Sequence, residues 1–468
     1  MRGRSHLLAL LALTGLATVI ACAPSEEHGS ETIAYMVPVE YLRLDNGLRV
    51  VLSRETTAPV VIVAVYYNIG FRIEPKDRTG FAHLFEHMMF QGSENLRKGD
   101  WSRLVNESGG VDNGSTRFDF TNYFEIVPAH KLETMLWAEA DRMKGLKITQ
   151  EELTNQQGVV ANEIKVNVLN QPYGGFPWLD LPQAAFDNWY NSHNFYGDLE
   201  DLEAATLEEV QAFFDAYYGP NNAVLVVVGD FEPAQARSWI EQYFADIPAA
   251  ELQPKPDLTE APQQAERRGS RIDPFANRPA FSFAYRMPQR NSPDYWAMIL
   301  LDQVLLQGND SLLYQSLVQR NGMTGSIEGG INWPLGNAFN YNGPNLWSAY
   351  LFHDENLEAD SIVAELDRIV EQLQREPLAP EVMERALVKL RSSFFDEVGG
   401  YWGLGKADLL ACFALFDDDP GRINQLEQQF RKVTAEDLLR AAREVLRPEN
   451  RTIFTIQPGA EAAEEEVS

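Results

Sequence analysis

Residues 41–52 alternate apolar and polar side chains on either side of Asn46-Gly47, which predicts two antiparallel strands joined by a tight hairpin turn. Residues 60–67, Val-Val-Ile-Val-Ala-Val-Tyr-Tyr, are β-branched or aromatic almost throughout, the pattern of a strand buried at the centre of a sheet. Strand pattern returns over residues 110–127, where Thr121, Tyr123 and Glu125 alternate with Asn122 and Phe124. Helical spacing takes over in residues 131–143, with Leu132, Met135, Leu136 and Met143 on one side. A further helix is predicted around residues 155–165, carrying Val159, Val160 and Ile164 inward. A helix over residues 206–218, the turn Gly219-Pro220-Asn221-Asn222 and a strand over 223–228 follow.

That last unit recurs. Thr434 starts a second helix, which runs through Arg447-Pro448-Glu449-Asn450 to a strand over residues 452–456. Thr206 and Thr434, Pro220 and Pro448, and Asn222 and Asn450 are each 228 residues apart. A constant offset over a helix–turn–strand unit points to internal duplication. The predicted fold is α+β: two homologous domains, each a mostly antiparallel sheet packed with helices. They span residues 34–248 and 270–457, joined by a linker at 249–269 rich in Pro, Glu and Gln, with an acidic tail at 458–468.

A chain of 468 residues suits two such domains, and 45% hydrophobic residues suffice for two packed interiors. The formal charge of −29 argues against nucleic acid as a partner, since phosphate binding needs a basic footprint.

The chemistry concentrates in His83-Leu84-Phe85-Glu86-His87. On a helix, His83 and His87 lie four residues apart, so both imidazoles share one face and can share a metal, with Glu86 close by. The order His-x-x-Glu-His is the inverted zincin signature. Gly80 leads in, and Gly92 supplies a stop after an apolar run. Catalytic zinc needs a third protein ligand and an open position. His6, His28, His130, His193 and His353 lack ligand-like company, whereas Glu163, 76 residues beyond His87 on a predicted helix, is better placed. The equivalent stretch of the second copy starts from Leu306-Gln307-Gly308-Asn309, which resembles Phe90-Gln91-Gly92-Ser93 at an offset of 216. Ile299, Asp302 and Gln303 then fall opposite His83, Glu86 and His87, so a single metal site per chain is expected.

On these residues the chain resembles the pitrilysin/insulinase family of zinc peptidases, over residues 41–456. The resemblance implies Zn2+ held by His83, His87 and Glu163, with Glu86 activating water. Residues 109–116, Gly-Gly-Val-Asp-Asn-Gly-Ser-Thr, resemble the family's edge strand, which implies substrate backbone bound at Asn113 and Gly114 by strand addition. Gly114 replaces the family's usual alanine, a change expected to loosen the strand. Gln156, seven residues before Glu163, replaces a supporting glutamate and removes one negative charge beside the ligands. Many relatives close a peptide chamber with a second pair of domains bearing an Arg and a Tyr seven residues apart. Here Arg320 is followed at that distance by Ile327, so the resemblance implies a homodimer, or a heterodimer with a related subunit that carries the Arg/Tyr pair.

Arg2 and Arg4 precede an apolar run over residues 7–20 that ends in Val19-Ile20-Ala21-Cys22, which resembles a bacterial lipobox. Residues 1–21 are therefore expected to be a lipoprotein signal peptide, and residues 22–33 a polar tether. Lipidation at Cys22 would anchor the protein in the cell envelope, with Ala23 fitting the outer membrane, facing the periplasm. Cys412 reads as a buried apolar residue, so no disulfide is expected. The expected function is zinc-dependent cleavage of short or unfolded peptides. The alternative is a non-catalytic structural or peptide-binding subunit of a peptidase-like complex.

Overall fold

The computed structural model describes residues 36–400 and 403–459. The first half forms a six-stranded sheet from β1 (Glu40–Arg43), β2 (Arg49–Arg54), β3 (Val60–Tyr67), β4 (Val111–Thr116), β5 (Thr121–Pro128) and β6 (Ala223–Gly229). Its spatial order is β1-β2-β6-β3-β5-β4, with β2 and β6 parallel and the other pairs antiparallel. The second half forms a five-stranded sheet from β7 (Arg267–Asp273), β8 (Ala280–Arg286), β9 (Glu328–Ile331), β10 (Leu346–Phe352) and β11 (Arg451–Pro458), in the order β7-β11-β8-β10-β9. Here too one pair, β7 and β11, is parallel and the others antiparallel. Apart from β1, the two sheets have one topology.

The duplication extends to single hydrogen bonds. The helices Leu207–Tyr217 and Ala435–Val445 both open with a capping box, at Thr206/Glu209 and Thr434/Asp437. Asn222 Nδ2 donates to Tyr217 O at 2.8 Å, and Asn450 Nδ2 donates to Val445 O at 2.9 Å. Each amide ties a helix end to the start of a central strand.

The halves are not separate beads. One face of the first sheet packs against helices of its own half. The other face, through Ile62, Ala64, Phe124, Val226 and Val228, joins a core that continues into the second half. The helix Leu404–Asp417 covers it, and its Leu409, Ala411, Cys412 and Phe413 are almost wholly buried. In return, the short helix Asp180–Ala185 of the first half lies against β7, β8 and β11, burying Leu181 and Ala185 beside Ala284 and Leu346. Asp180-Leu181 and Asp408-Leu409 repeat the 228-residue offset, so the exchange is reciprocal. β5 is accordingly buried on both faces.

Residues 249–269 are more than a spacer. Glu260 accepts hydrogen bonds from the backbone N–H groups of Asp187 and Asn188, and β7 already begins at Arg267. Val159, expected to face inward, is 43% exposed, while Val160 and Ile164 are buried. Among the described residues no helix is long and apolar enough to cross a membrane. Cys22, and with it the signal and tether, lies outside the described residues.

Candidate active site

The helix Phe81–Met88 carries the motif. Phe81, Leu84, Phe85 and Met88 are buried in the first core, with Phe85 stacked on Tyr218 at 5.1 Å between ring centroids. That anchoring leaves His83, Glu86 and His87 on the remaining face, toward β4 and the helix Gln150–Ile164. The helix ends at Met88, a turn before Gly92.

Its start is held by a residue that the sequence reading did not single out. Glu74, fully buried, accepts from Gly80 N–H at 3.0 Å and Ala82 N–H at 2.5 Å, satisfying donors that a helix N-terminus leaves open. Burial raises the Glu74 pKa, and His193, whose Nε2 lies 3.7 Å from Oε2, works against that rise. Gly80 has φ +83°, and a Cβ there would sit 2.5 Å from Tyr196 O. Glycine at this position lets the Tyr196 segment cross the start of the helix.

His83 Nε2 lies 3.6 Å from Glu163 Oε1, and His87 Nε2 lies 3.2 Å from Glu163 Oε2. One ligand-capable atom from each of the three residues falls within 4.8 Å of the others. Burial, the largest influence, brings the His83 pKa down to about 4, so the imidazole is neutral at physiological pH. The hydrogen bond from His87 is the main cause that lowers the Glu163 pKa. Tyr196 Oη donates to Glu163 Oε1 at 3.2 Å, a second contact missed from sequence because Tyr196 lies 33 residues away on a loop. Glu86 is partly buried, and burial raises its pKa against a lowering contribution from the Thr116 hydroxyl.

β4 is the free edge of the first sheet, so its outer backbone groups remain open to a further strand. Gly114 does not interrupt it: β4 pairs with β5 from Val111 to Thr116. A Cβ at Gly114 would stand 3.2 Å from both Glu86 Cγ and Tyr123 Cδ1. The missing methyl therefore makes room at the base of Glu86. Beside β4 opens a cleft of about 840 Å³, lined by Asn113, Ser115 and Arg117 from the first half and by Asp396 and Glu397 from the second.

Gln156 is buried on the same helix as Glu163, two turns earlier. Arg320 ends the wide turn Tyr314–Arg320, and Ile327 is buried. In the second half Ile299, Asp302 and Gln303 occupy the corresponding helix Pro293–Leu305, all buried. Aligning the starts of the helices Gln150–Ile164 and Pro380–Gly399 gives an offset of 230, which sets Ser393 opposite Glu163. No metal-type cluster is present there among the described residues.

Two family models match the chain: insulinase (peptidase family M16) over residues 49–173, and the peptidase M16 inactive domain over residues 204–390. The zinc protease PqqE of Helicobacter pylori is 25% identical over 459 residues, covering 95% of this chain and 98% of its own length. Among solved structures, a protease from Helicobacter pylori superposes with a TM-score of 0.81 at 24% identity, covering 91% of this chain and all (100%) of that one. A peptidase M16 inactive domain from Pseudomonas fluorescens gives a TM-score of 0.79 at 17% identity, covering 91% and 98%. Taken with the duplicated architecture, these matches show that the chain belongs to the insulinase (M16) family of two-domain, peptidase-like proteins.

Proposed function

We propose that the protein is a zinc-dependent endopeptidase that cleaves short or unfolded peptides. The observation that carries the reading is the convergence of His83, His87 and Glu163 beside Glu86 and an open edge strand. Two imidazole nitrogens and one carboxylate, with His83 held neutral, fit the donor set of a catalytic zinc. Zinc bound there would supply Lewis acidity toward the scissile carbonyl and toward water. Glu86 takes a proton from the attacking water at its carboxylate and delivers it to the leaving amine, a role suited to a carboxylate whose pKa lies above the usual range. The backbone of β4 around Asn113 and Gly114 aligns the peptide by strand addition, which requires an extended substrate. Tyr196 orients the Glu163 carboxylate, and Glu74 fixes the start of the motif helix.

Purified protein should cleave an unstructured peptide in a chelator-sensitive manner. Glu86→Gln should keep the metal and lose at least ~10²-fold in rate. Near-normal turnover by that variant would sink the general-base role. Metal loading without any cleavage by the parent would favour a non-catalytic, peptide-binding subunit.

Arg320 with Ile327, where relatives carry an Arg/Tyr pair, supports closure by a second chain, either another copy or a related subunit bearing that pair. Light scattering alongside the assay tests this: a strict monomer with concentration-independent activity would contradict it. The lipobox-like residues 19–22 support a lipid anchor at Cys22 in the bacterial envelope. Cys22→Ser should move the protein from the membrane to the soluble fraction, and identical fractionation of both forms would refute the anchor.

A further inference from the structure

The second half keeps an open cavity where the first half gathers its metal-type residues. It measures about 260 Å³ and is lined by Asp302, Gln303, Ser393, Trp333 and Glu397, beside the free edge strand β9. A copy that had merely lost its ligands could close this space with apolar side chains, since voids and unpaired buried polar groups both cost stability. Instead the lining is mixed: Ile299, Ile331, Phe339, Leu390 and Leu409 contribute apolar surface, and the polar groups set among them are incompletely satisfied. Gln303 is only 6% exposed, yet its Oε1 has no hydrogen-bond partner. Asp302 accepts from Trp347 Nε1 at 2.7 Å and from Gln307 Nε2 at 3.2 Å, both through Oδ1. The nearby Lys389 ammonium is occupied elsewhere, donating to the carbonyl oxygens of Gln303 and Gln307 and to Asp310.

We propose that this cavity is a binding pocket for an organic cation, a guanidinium or alkylammonium group, recognised by Asp302, Gln303 Oε1 and Glu397 with Trp333 as an aromatic wall. The buried lining atom without a partner, Gln303 Oε1, is an acceptor, so the missing partner is a donor. The volume is several times the ~30 Å³ share of a water molecule, which suits a side-chain-sized group better than a single ion. Trp333 stacks on Tyr350 at 5.2 Å, which fixes the aromatic wall in place, and guanidinium groups favour such surfaces. Burial holds the Asp302 pKa up at about 6, so the carboxylate is ionised at neutral pH and favours a cationic guest. The pocket does not depend on the peptidase reading. Its guest could be a free small cation or the arginine or lysine side chain of a peptide.

Calorimetry on the full-length Glu86→Gln chain, which cannot turn a peptide over if the peptidase reading holds, separates these sources. Agmatine serves as the free cation, and an unstructured peptide with one arginine is compared with its citrulline counterpart. Saturable binding at one site per chain is expected, weakened about tenfold by citrulline in place of arginine or by Asp302→Asn. Binding of agmatine alone assigns the pocket to a free cation, whereas binding of the arginine peptide assigns it to a substrate side chain. Gln303→Met serves as a second variant, and thermal melts verify that each variant folds cooperatively. Absence of saturable binding by either probe overturns the proposal. So does a cooperatively folded Asp302→Asn or Gln303→Met protein that binds as tightly as its parent.

Discussion

The two halves are one fold used twice, and four positions carry their difference in metal-type chemistry. Where the first half has His83, Glu86, His87 and Glu163, the second has Ile299, Asp302, Gln303 and Ser393. Backbone does not explain the difference, because strand order, parallel pair and capping boxes repeat. Side-chain chemistry does. Two imidazoles facing a carboxylate form a donor set for a zinc-like divalent metal, whereas an isoleucine, an amide and a hydroxyl do not. The second half also lacks an equivalent of the Tyr196 contact to Glu163 among the hydrogen bonds described. Scaffold and chemistry have therefore diverged independently, as expected when function resides in a site grafted on a fold.

The comparison breaks most sharply if a residue of the second half is written into the first. His87→Gln copies Gln303, and it should abolish stable zinc binding and reduce peptide cleavage by at least ~10²-fold, measured by metal analysis and turnover. Full activity in that variant would mean that the two halves do not differ where the sequence says they do.

Glu74→Ala should have a smaller effect, because it removes the cap of the motif helix and none of the metal-type residues. Metal affinity should fall by about 10-fold and Tm should drop, with partial rescue by Glu74→Gln, which keeps an acceptor. An unchanged metal titration would reduce Glu74 to a general stability contribution.

The smallest effect concerns pH. Asp302 is fully buried, and its folded-state pKa is pushed up to about 6 from 3.8 by desolvation, against hydrogen bonds from Trp347 and Gln307. A raised folded pKa stabilises the fold at low pH, and that contribution is lost as pH rises through about 6. Asp302→Asn, which stays neutral, should therefore be more stable than the parent at pH 8, by on the order of 3 kcal/mol, with little advantage below pH 4. Thermal melts at the two pH values check the sign, and a variant less stable than the parent at pH 8 would refute it.

Much of this comparison is legible in the sequence because it is local or periodic. The His-x-x-Glu-His spacing, the Asn46-Gly47 turn and the 228-residue offset need no tertiary information. The apolar surroundings of Cys412 likewise announce a buried helix, and Cys412 is fully buried. What stayed hidden depends on partners far away in the chain. Nothing in residues 180–185 says that they cover the second sheet, nor that the helix Leu404–Asp417 covers the first. For the same reason the alternation in β5 does not reveal that both its faces are covered. Val159 read as core because a valine beside Val160 fits helical spacing, but the helix turns it to solvent. Glu74 and Tyr196 act through contacts that only the folded chain makes, and a cavity has no sequence signature at all.

The most direct measurement of the central claim is metal content per chain, determined by elemental analysis on the parent, Glu163→Ala and Asp302→Asn proteins under matched conditions. One equivalent of zinc is predicted for the parent and for Asp302→Asn, and none for Glu163→Ala. Two equivalents in the parent, or an undiminished equivalent in a folded Glu163→Ala protein, would contradict the assignment of the metal to the first half alone.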